Sequence, residues 1–274
     1  MLHWCLTQQI SPTKPRVCAV SYLNTVPLVW GMLHGPQRDF FDLSFALPAV
    51  CADRLAGGSA DIGIVPVAHL LRQELKIFRG AGIACRGPVR SILLVSKVPF
   101  GRIQTLATDS GSRTSVQLAR IVLAQRYGAE PRLISLPADL SPMLEQADAA
   151  LLIGDPALRL DPEEIPFRSL DLGAEWTEMT GLPMVFAVWA GAKNVWTDER
   201  ERAFTGSHRF GLEHIDDIVR AEHAARGVTA AAAHRYLTRN IVFDLGEKEY
   251  AGMDLFLRQA AQLDPLGVPE SVSA

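Results

Sequence analysis

A strand–turn–helix unit near the amino terminus constrains the fold of this chain most strongly. A short apolar run at residues 17–20 ends in the polar residues 21–25, and Pro27 then opens an apolar, helix-like stretch at residues 28–33. Proline is favoured in the first turn of a helix because the N–H that it lacks would have no partner there. The unit therefore predicts polar side chains beyond the carboxyl end of a strand, where open α/β sheets bind ligands.

Strand-like and helix-like segments alternate over the first two thirds of the chain. This alternation is typical of a mostly parallel sheet with helices on both faces. It breaks near residues 97–101 and 180–183, and it restarts after the first break with a strand at 104–108. We therefore predict two α/β lobes. The first lobe comprises residues 1–98, with an amino-terminal extension at 1–15, and residues 185–274, and the second comprises residues 99–184.

The last third of the chain is charged and helical in its periodicity. A helical stretch at 197–226 has a predicted interruption near Gly206, and two further helices are predicted at 229–240 and 246–263. Helices of this kind need a surface on which to bury their apolar faces. We expect them to pack back on the first lobe.

Composition excludes several classes of protein. The chain is 48% hydrophobic, enough to bury a core, and its net charge of -3 argues against bulk nucleic-acid binding while allowing a local cationic pocket. The four cysteines are scattered without zinc-ligand spacing, so neither a disulfide framework nor a zinc site is predicted. Residues 1–15 lack the features of a signal peptide, and no apolar run approaches about 18 residues. These observations predict a cytoplasmic protein that does not bind a membrane.

The turn formed by Ser112, Arg113, Thr114 and Ser115 is the clearest candidate for anion binding. A hydroxyl-rich turn at a helix start presents free backbone N–H groups and the positive end of the helix dipole. Arg113 can add a charge-assisted pair of hydrogen bonds. The turn lacks a glycine-rich stretch ending in Lys-Ser or Lys-Thr, so a carboxylate fits better than a nucleotide. The alternative is a capping cluster with a solvated arginine.

Two other pairs of residues have both a structural and a functional interpretation. Asn24 and Thr25 can contact a ligand or simply cap the helix that follows. Gly154 and Asp155 follow a continuous apolar strand, and the aspartate can cap the next helix or contact a ligand hydroxyl.

Ser91 opens a strand and is a candidate for the cleft, whereas His69 lies in an apolar helix start and is more typical of a core or rim histidine than of a ligand contact. The sequence shows no Ser-His-Asp order, metal-ligand cluster or paired carboxylates. A site built from hydroxyls, an amide and helix starts is poor in general bases.

Several segments together resemble the chorismate dehydratases, the first enzymes of the futalosine route to menaquinone. The resemblance rests on Ser21-Tyr22-Leu23-Asn24-Thr25, Ala60–Pro66, Ser112-Arg113-Thr114-Ser115, Ala149–Asp155 and Thr180–Trp189. It implies a fold like the type II periplasmic-binding proteins, with the ligand between the lobes. The sister 1,4-dihydroxy-6-naphthoate synthases have a first motif of the Ser-Pro-Cys-Pro-Asn type, which Ser21-Tyr22-Leu23-Asn24 does not match.

The resemblance implies loss of water from chorismate to give 3-[(1-carboxyvinyl)oxy]benzoate, with no cofactor or metal. It implies that Asn24 is the central polar contact at the reacting ring and that chorismate is the partner. The substrate-binding residues that we predict are Ser21, Tyr22, Thr25, Ser91, Ser112, Arg113, Thr114, Ser115, Gly154 and Asp155.

The base that removes the C3 proton is left open by the sequence. The side-chain carboxylate of chorismate is one candidate, and His69 and Asp155 are the rivals on the protein. Two other functions remain as alternatives: a non-catalytic solute-binding protein for a small carboxylate, which predicts an export signal, and the ligand-sensing domain of a regulator, which predicts an attached DNA-binding module.

Overall fold

The computed structural model describes residues 14–109, 111 and 113–263, which form eleven strands. In chain order the strands are β1 (Arg16–Val20), β2 (Asp42–Ala46), β3 (Ile62–Pro66), β4 (Lys76–Cys85), β5 (Ile92–Ser96), β6 (Thr105–Thr108), β7 (Arg132–Ser135), β8 (Ala149–Ile153), β9 (Arg168–Asp171), β10 (Met184–Gly191) and β11 (Val242–Asp244).

The helices lie between and after these strands. The α-helices are α1 (Val26–His34), α2 (Pro48–Ala56), α3 (Arg113–Val122), α4 (Leu140–Gln146), α5 (Gly154–Leu158), α6 (Leu172–Thr180), α7 (Asp198–Glu213), α8 (Ile215–Glu222), α9 (Ala230–Arg235) and α10 (Glu247–Leu263). Short 3-10 turns occur at Leu23–Thr25, Val67–Leu71, Phe100–Arg102 and Lys193–Val195, and π-helical turns extend α3 and α9 at Leu123–Tyr127 and Tyr236–Asn240.

The strands form two separate sheets, which confirms the predicted two-lobed α/β fold. The first sheet has six strands in the order β11-β4-β10-β3-β1-β2, and the second has five in the order β7-β6-β8-β5-β9. The expectation of mostly parallel sheets is wrong, because β10 runs antiparallel to β3 and β4, and β5 runs antiparallel to β8 and β9. The chain enters each of these two strands from the other lobe. The right-handed crossover connection that joins parallel strands within one sheet therefore does not set their direction.

The passage of the chain between the lobes differs from the prediction. Strand β5, assigned from the sequence to the first lobe, lies in the second sheet. The chain therefore first crosses at residues 86–91, not near residue 98, and it returns between α6 and β10 at residues 181–183. The alternation pattern missed this because β4 and β5 follow each other directly, without a helix between them.

The interruption predicted near Gly206 is also misplaced. Helix α7 continues through Gly206 and ends at Glu213, and α8 begins after His214. A Cβ atom at position 206 would lie 2.8 Å from Nε2 of Gln37, so the glycine permits close packing rather than breaking the helix. The apolar stretch around His69, expected to start a helix, is only the 3-10 turn Val67–Leu71, because β4 begins at Lys76.

The return segment packs on the first sheet through large buried side chains. Trp189 of β10 and Phe204 of α7 are buried with their ring centroids 4.6 Å apart, and Phe78 of β4 lies 5.2 Å from Phe204. Burying aromatic side chains of this size contributes several kcal/mol, about 1.5–3 kcal/mol for each. This packing joins the last third of the chain to the lobe that holds the amino-terminal strand. Within the described ranges, no helix combines the length and apolar character needed to span a membrane.

Candidate active site

A cleft lies between the two lobes, where the ends of β1, β8 and β10 meet the first crossing of the chain. The space in it that admits a water-sized molecule is about 70 Å³. Most of its wall is apolar, which excludes water and strengthens any polar contact inside. The apolar lining comprises Val20, Pro48, Pro66, Ile83, Val89, Ile92, Ile153, Phe186 and Ala187.

A neutral cluster of Asn24, Tyr236 and Ser91 forms one wall of the cleft. Asn24 Nδ2 donates to the Tyr236 hydroxyl at 3.0 Å, and that hydroxyl donates to Ser91 Oγ at 2.8 Å. Asn24 and Ser91 line the cleft, whereas Tyr236 lies behind them and is only 2% exposed. Burial raises the pKa of the Tyr236 phenol well above its ordinary value, so it stays protonated at neutral pH.

The local backbone explains why Asn24 faces the cleft. After β1 the chain makes the 3-10 turn Leu23–Thr25, in which Thr25 N–H donates to the Tyr22 carbonyl at 3.0 Å, and Pro27 then sets the first turn of α1. The Thr25 side chain, at the amino-terminal cap position of α1, makes no capping hydrogen bond. The Asn24 carboxamide bonds Tyr236 instead of the helix start. Helix capping, the alternative left open by the sequence, is therefore not the role of these side chains.

A charged cluster of Arg113, Asp53 and His69 lies at the start of α3. Arg113 Nη2 donates to Asp53 Oδ1 at 2.6 Å, and Nη1 lies 3.2 Å from His69 Nδ1. A guanidinium only donates, so Nδ1 must accept, and His69 Nε2 then donates to Gln73 Oε1 at 3.0 Å. Burial, together with the nearby Arg113 charge, lowers the pKa of His69. The cluster joins α3 of the second lobe to α2 and the 3-10 turn Val67–Leu71 of the first.

The hydroxyls at the start of α3 have different environments. Thr114 Oγ1 accepts from Ala68 N–H and donates to the Phe186 carbonyl, each at 3.2 Å, so it links the two lobes. Ser115 lines the cleft, and its hydroxyl makes no hydrogen bond to a described residue. Ser112 lies outside the described residues. The N–H groups in the first turn of α3 have no partner within the helix.

Gly154 and Asp155 contact the first lobe directly. Gly154 has φ of +62°, and a Cβ there would lie 2.6 Å from the Tyr22 ring, so only glycine allows the ring to rest on this backbone. Asp155 Oδ1 accepts from Leu23 N–H at 3.0 Å, and Oδ2 pairs with Arg226 at 2.7 Å. Both carboxylate oxygens of Asp155 are therefore engaged in contacts that join the lobes.

Arg226 completes this interlobe contact. It also donates to the Ser21 carbonyl at 2.8 Å and to Glu222 at 2.7 Å. Burial opposes the charge of Arg226, yet its bonds to Asp155 and Glu222 raise its pKa above the ordinary value. Burial also raises the pKa of Tyr22, with contributions from Asp109 and Asp155.

The structure brings most of the predicted site residues together. Those that line the cleft are Tyr22, Asn24, Ser91, Arg113, Thr114, Ser115 and Gly154. Three others do not line it: Ser21 is exposed, Thr25 is buried beside Asn24, and Asp155 faces Leu23 and Arg226. Among the described residues of the lining, the ionisable side chains are Arg113 and Tyr22.

Sequence reasoning missed Tyr236 and Arg226. Both come from the helical last third, where their positions follow the same periodicity as any core or surface residue. Tyr236 bonds Asn24, which is 212 positions away in the chain, and Arg226 bonds Asp155, which is 71 positions away. Local sequence patterns carry no signal for contacts of that separation.

Comparisons with known proteins identify the family. The profile of a family described as menaquinone biosynthesis matches residues 15–262. The chain belongs to this family. It is also 28% identical over 266 residues to the chorismate dehydratase of Thermus thermophilus, a match that covers 90% of this chain and 93% of that protein. The resemblance read from the motifs is confirmed at the level of the family.

Solved structures support the fold at lower identity. A protein from Archaeoglobus fulgidus superposes with a TM-score of 0.72 at 18% identity, over 92% of this chain and 98% of that one. A Candida albicans gene product described as exhibiting the generic periplasmic binding protein fold gives a TM-score of 0.65 at 14% identity, over 92% and 91% of the two chains. Like those proteins, this member of the menaquinone biosynthesis family has a periplasmic-binding-protein-like fold.

Proposed function

We propose that this protein is a chorismate dehydratase, a hydro-lyase that eliminates water from chorismate to give 3-[(1-carboxyvinyl)oxy]benzoate. The observation that carries the proposal is the cleft itself. It places the neutral donors Asn24 and Ser91 on one wall and the start of α3 on another, within an apolar lining. The similarity to the Thermus thermophilus chorismate dehydratase supports the same substrate.

The elimination depends more on stabilising the negative charge that develops on the substrate than on a strong acid. The C3 proton of chorismate is vinylogous to the ring carboxylate, so its removal pushes electron density into that carboxylate. The N–H groups at the start of α3, the Ser115 hydroxyl and Arg113 can hold a carboxylate there. Loss of the C4 hydroxyl then completes an aromatic ring.

The base in this proposal is the substrate. Chorismate carries a side-chain carboxylate on the ether oxygen attached to C3, and folding it over the ring brings it to the C3–H. The two rival bases are both engaged elsewhere: the Asp155 oxygens bond Leu23 and Arg226, and His69 Nδ1 accepts from Arg113. These contacts favour a substrate base, because neither group lines the cleft.

The atoms balance without a second reactant. The C3–H bond breaks and its proton moves to the side-chain carboxylate, while the C3–H electron pair forms the new ring double bond. The C4–O bond breaks, and the leaving hydroxide takes the proton from the side-chain carboxyl to become water, which restores the carboxylate. Asn24 and Ser91 stabilise the charge that develops on the leaving oxygen.

The direct test is incubation of the purified protein with chorismate, followed by chromatography and mass spectrometry. We expect an aromatic product that is one water lighter than chorismate, formed at a rate proportional to enzyme concentration. The same assay in EDTA should give the same rate. Saturable binding of chorismate without any product would contradict the proposal and favour a solute-binding protein.

A further inference from the structure

Tyr236 occupies an unusual position relative to the cleft. It comes from the π-helical turn Tyr236–Asn240 of the return segment, yet its hydroxyl contacts Asn24 of the first lobe and Ser91 at the end of the first crossing. Its side chain is fully packed, and its hydroxyl bonds those two residues alone among the described ones. A buried hydroxyl with two polar partners fixes the geometry of both.

The protons of this cluster can be assigned one by one. The Asn24 carboxamide directs Nδ2 at Tyr236, while its Oδ1 lies 3.5 Å from the Thr25 hydroxyl. An amide nitrogen only donates, so the phenolic oxygen accepts from Asn24. The single phenolic proton must then go to Ser91 Oγ at 2.8 Å.

This assignment determines what the cleft contains. Ser91 Oγ accepts from Tyr236 and has no acceptor for its own proton among the described residues. That proton is therefore available to a ligand. The second N–H of Asn24 is likewise not used by a described residue. Two neutral donors, held from behind by one hydroxyl, face the same space.

We infer that Tyr236 is a positioning residue, which orients the Asn24 amide and the Ser91 hydroxyl so that both donate to the leaving C4 hydroxyl of the substrate. This inference rests on the proposed dehydratase function and adds a residue that does not touch the substrate. The contacts strengthen as negative charge develops on the leaving oxygen, so their loss should reduce kcat more than it changes KM.

Tyr236→Phe is the test, because it removes the hydroxyl and keeps the buried ring. We expect kcat for chorismate to fall by about tenfold to thirtyfold, with KM within about threefold of wild type. Tyr250→Phe is the matched control. Tyr250 is also a buried tyrosine whose hydroxyl accepts a backbone N–H, from Gly80, but it lies outside the cleft lining. The control should lose thermal stability and keep kcat within about twofold.

A mutant cycle separates positioning from a general loss of stability. If Tyr236 acts through Asn24 and Ser91, adding Tyr236→Phe to a background that already carries Asn24→Ala and Ser91→Ala should lower kcat by less than about threefold. A further tenfold loss in that background, or a kcat for Tyr236→Phe equal to wild type, would overturn the inference. If wild-type protein fails to dehydrate chorismate at all, the proposed function has failed instead, so the two failures are distinguishable.

Discussion

The neutral cluster and the charged cluster adjoin the same cleft but use their polar groups differently. Asn24, Tyr236 and Ser91 bond one another in a chain and leave two donors facing the cleft. Arg113 is paired across the lobes with Asp53 and His69. Asp155 and Arg226 likewise use their charged groups to pair with each other across the lobes.

The two clusters differ in which polar groups are available for chemistry. A buried neutral donor costs little free energy to bury, and its hydrogen bond strengthens when negative charge develops on its acceptor during the reaction. A charge near an apolar cleft needs a partner, and here the partners come from the opposite lobe. We propose that the neutral cluster serves the reacting bonds, while the charges chiefly join the two lobes around the cleft.

The largest effect should come from Asn24→Ala. Removing a donor that stabilises a developing charge typically costs about 100-fold to 1000-fold in kcat, and we expect at least about 100-fold here with a smaller change in KM. Steady-state kinetics with chorismate measures both. Asn194→Ala, at an exposed asparagine of a surface turn, is the control and should match wild type. A KM effect larger than the kcat effect would assign Asn24 to ground-state binding.

The interlobe pair should affect stability more than turnover. Asp155→Asn leaves Arg226 with weaker partners, so the free energy of unfolding should fall by about 1–3 kcal/mol in urea titrations. Its kcat should stay within about threefold of wild type. The exposed pair of Asp217 and Arg220 supplies the control Asp217→Asn, with an expected loss below about 0.5 kcal/mol. Loss of turnover with intact binding in Asp155→Asn would instead identify a protein base.

The start of α3 should contribute to substrate binding. A hydrogen bond to a charged group contributes roughly 1.5–3 kcal/mol, so Ser115→Ala should raise KM by about tenfold or more, with a smaller change in kcat. The control Ser141→Ala changes an exposed serine in the first turn of α4, away from the cleft. Equal KM values for the two variants would remove Ser115 from the site.

The smallest effect should be the pH dependence contributed by His69. Its pKa is lowered in the folded state, so the unfolded chain binds its proton first as pH falls. The stability that neutral His69 contributes is complete above about pH 6.5 and is lost as pH falls from there toward the folded pKa.

Urea unfolding of wild type and His69→Gln at about pH 7.5 and about pH 5.5 isolates this contribution, since all other groups titrate in both proteins. Wild type should lose more stability than the variant over this interval. Equal losses in the two proteins would show that His69 does not couple to folding.

The sequence predicted the elements that depend on local patterns. The strand before Ser21, the helix start near Pro27 and the strand before Gly154 are all marked by apolar runs and punctuating prolines or glycines, and the structure has them at those positions. The polar turns after strands likewise indicated Asn24 and the start of α3 as separate candidates, and both line the cleft.

The sequence could not supply the orientation of side chains or the contacts between residues that are far apart in the chain. Asp155 follows a strand as predicted, yet its carboxylate faces Leu23 and Arg226, because the packing of the lobes decides its orientation. Tyr236 is one of many residues in a helical period, and only the return of the chain to the first sheet places it behind Asn24. The first crossing was misplaced because consecutive strands joined by a short link suggest one sheet rather than two.

The chemistry that we propose is dehydration of chorismate at the neutral cluster, with the substrate as its own base. A comparison of chorismate with its analogue in which only the side-chain carboxylate is a methyl ester tests this base. We predict that chorismate yields 3-[(1-carboxyvinyl)oxy]benzoate, whereas the ester binds and turns over at least about 100-fold more slowly. Turnover of the ester at a rate close to that of chorismate would contradict the account, because a protein group would then have to remove the C3 proton.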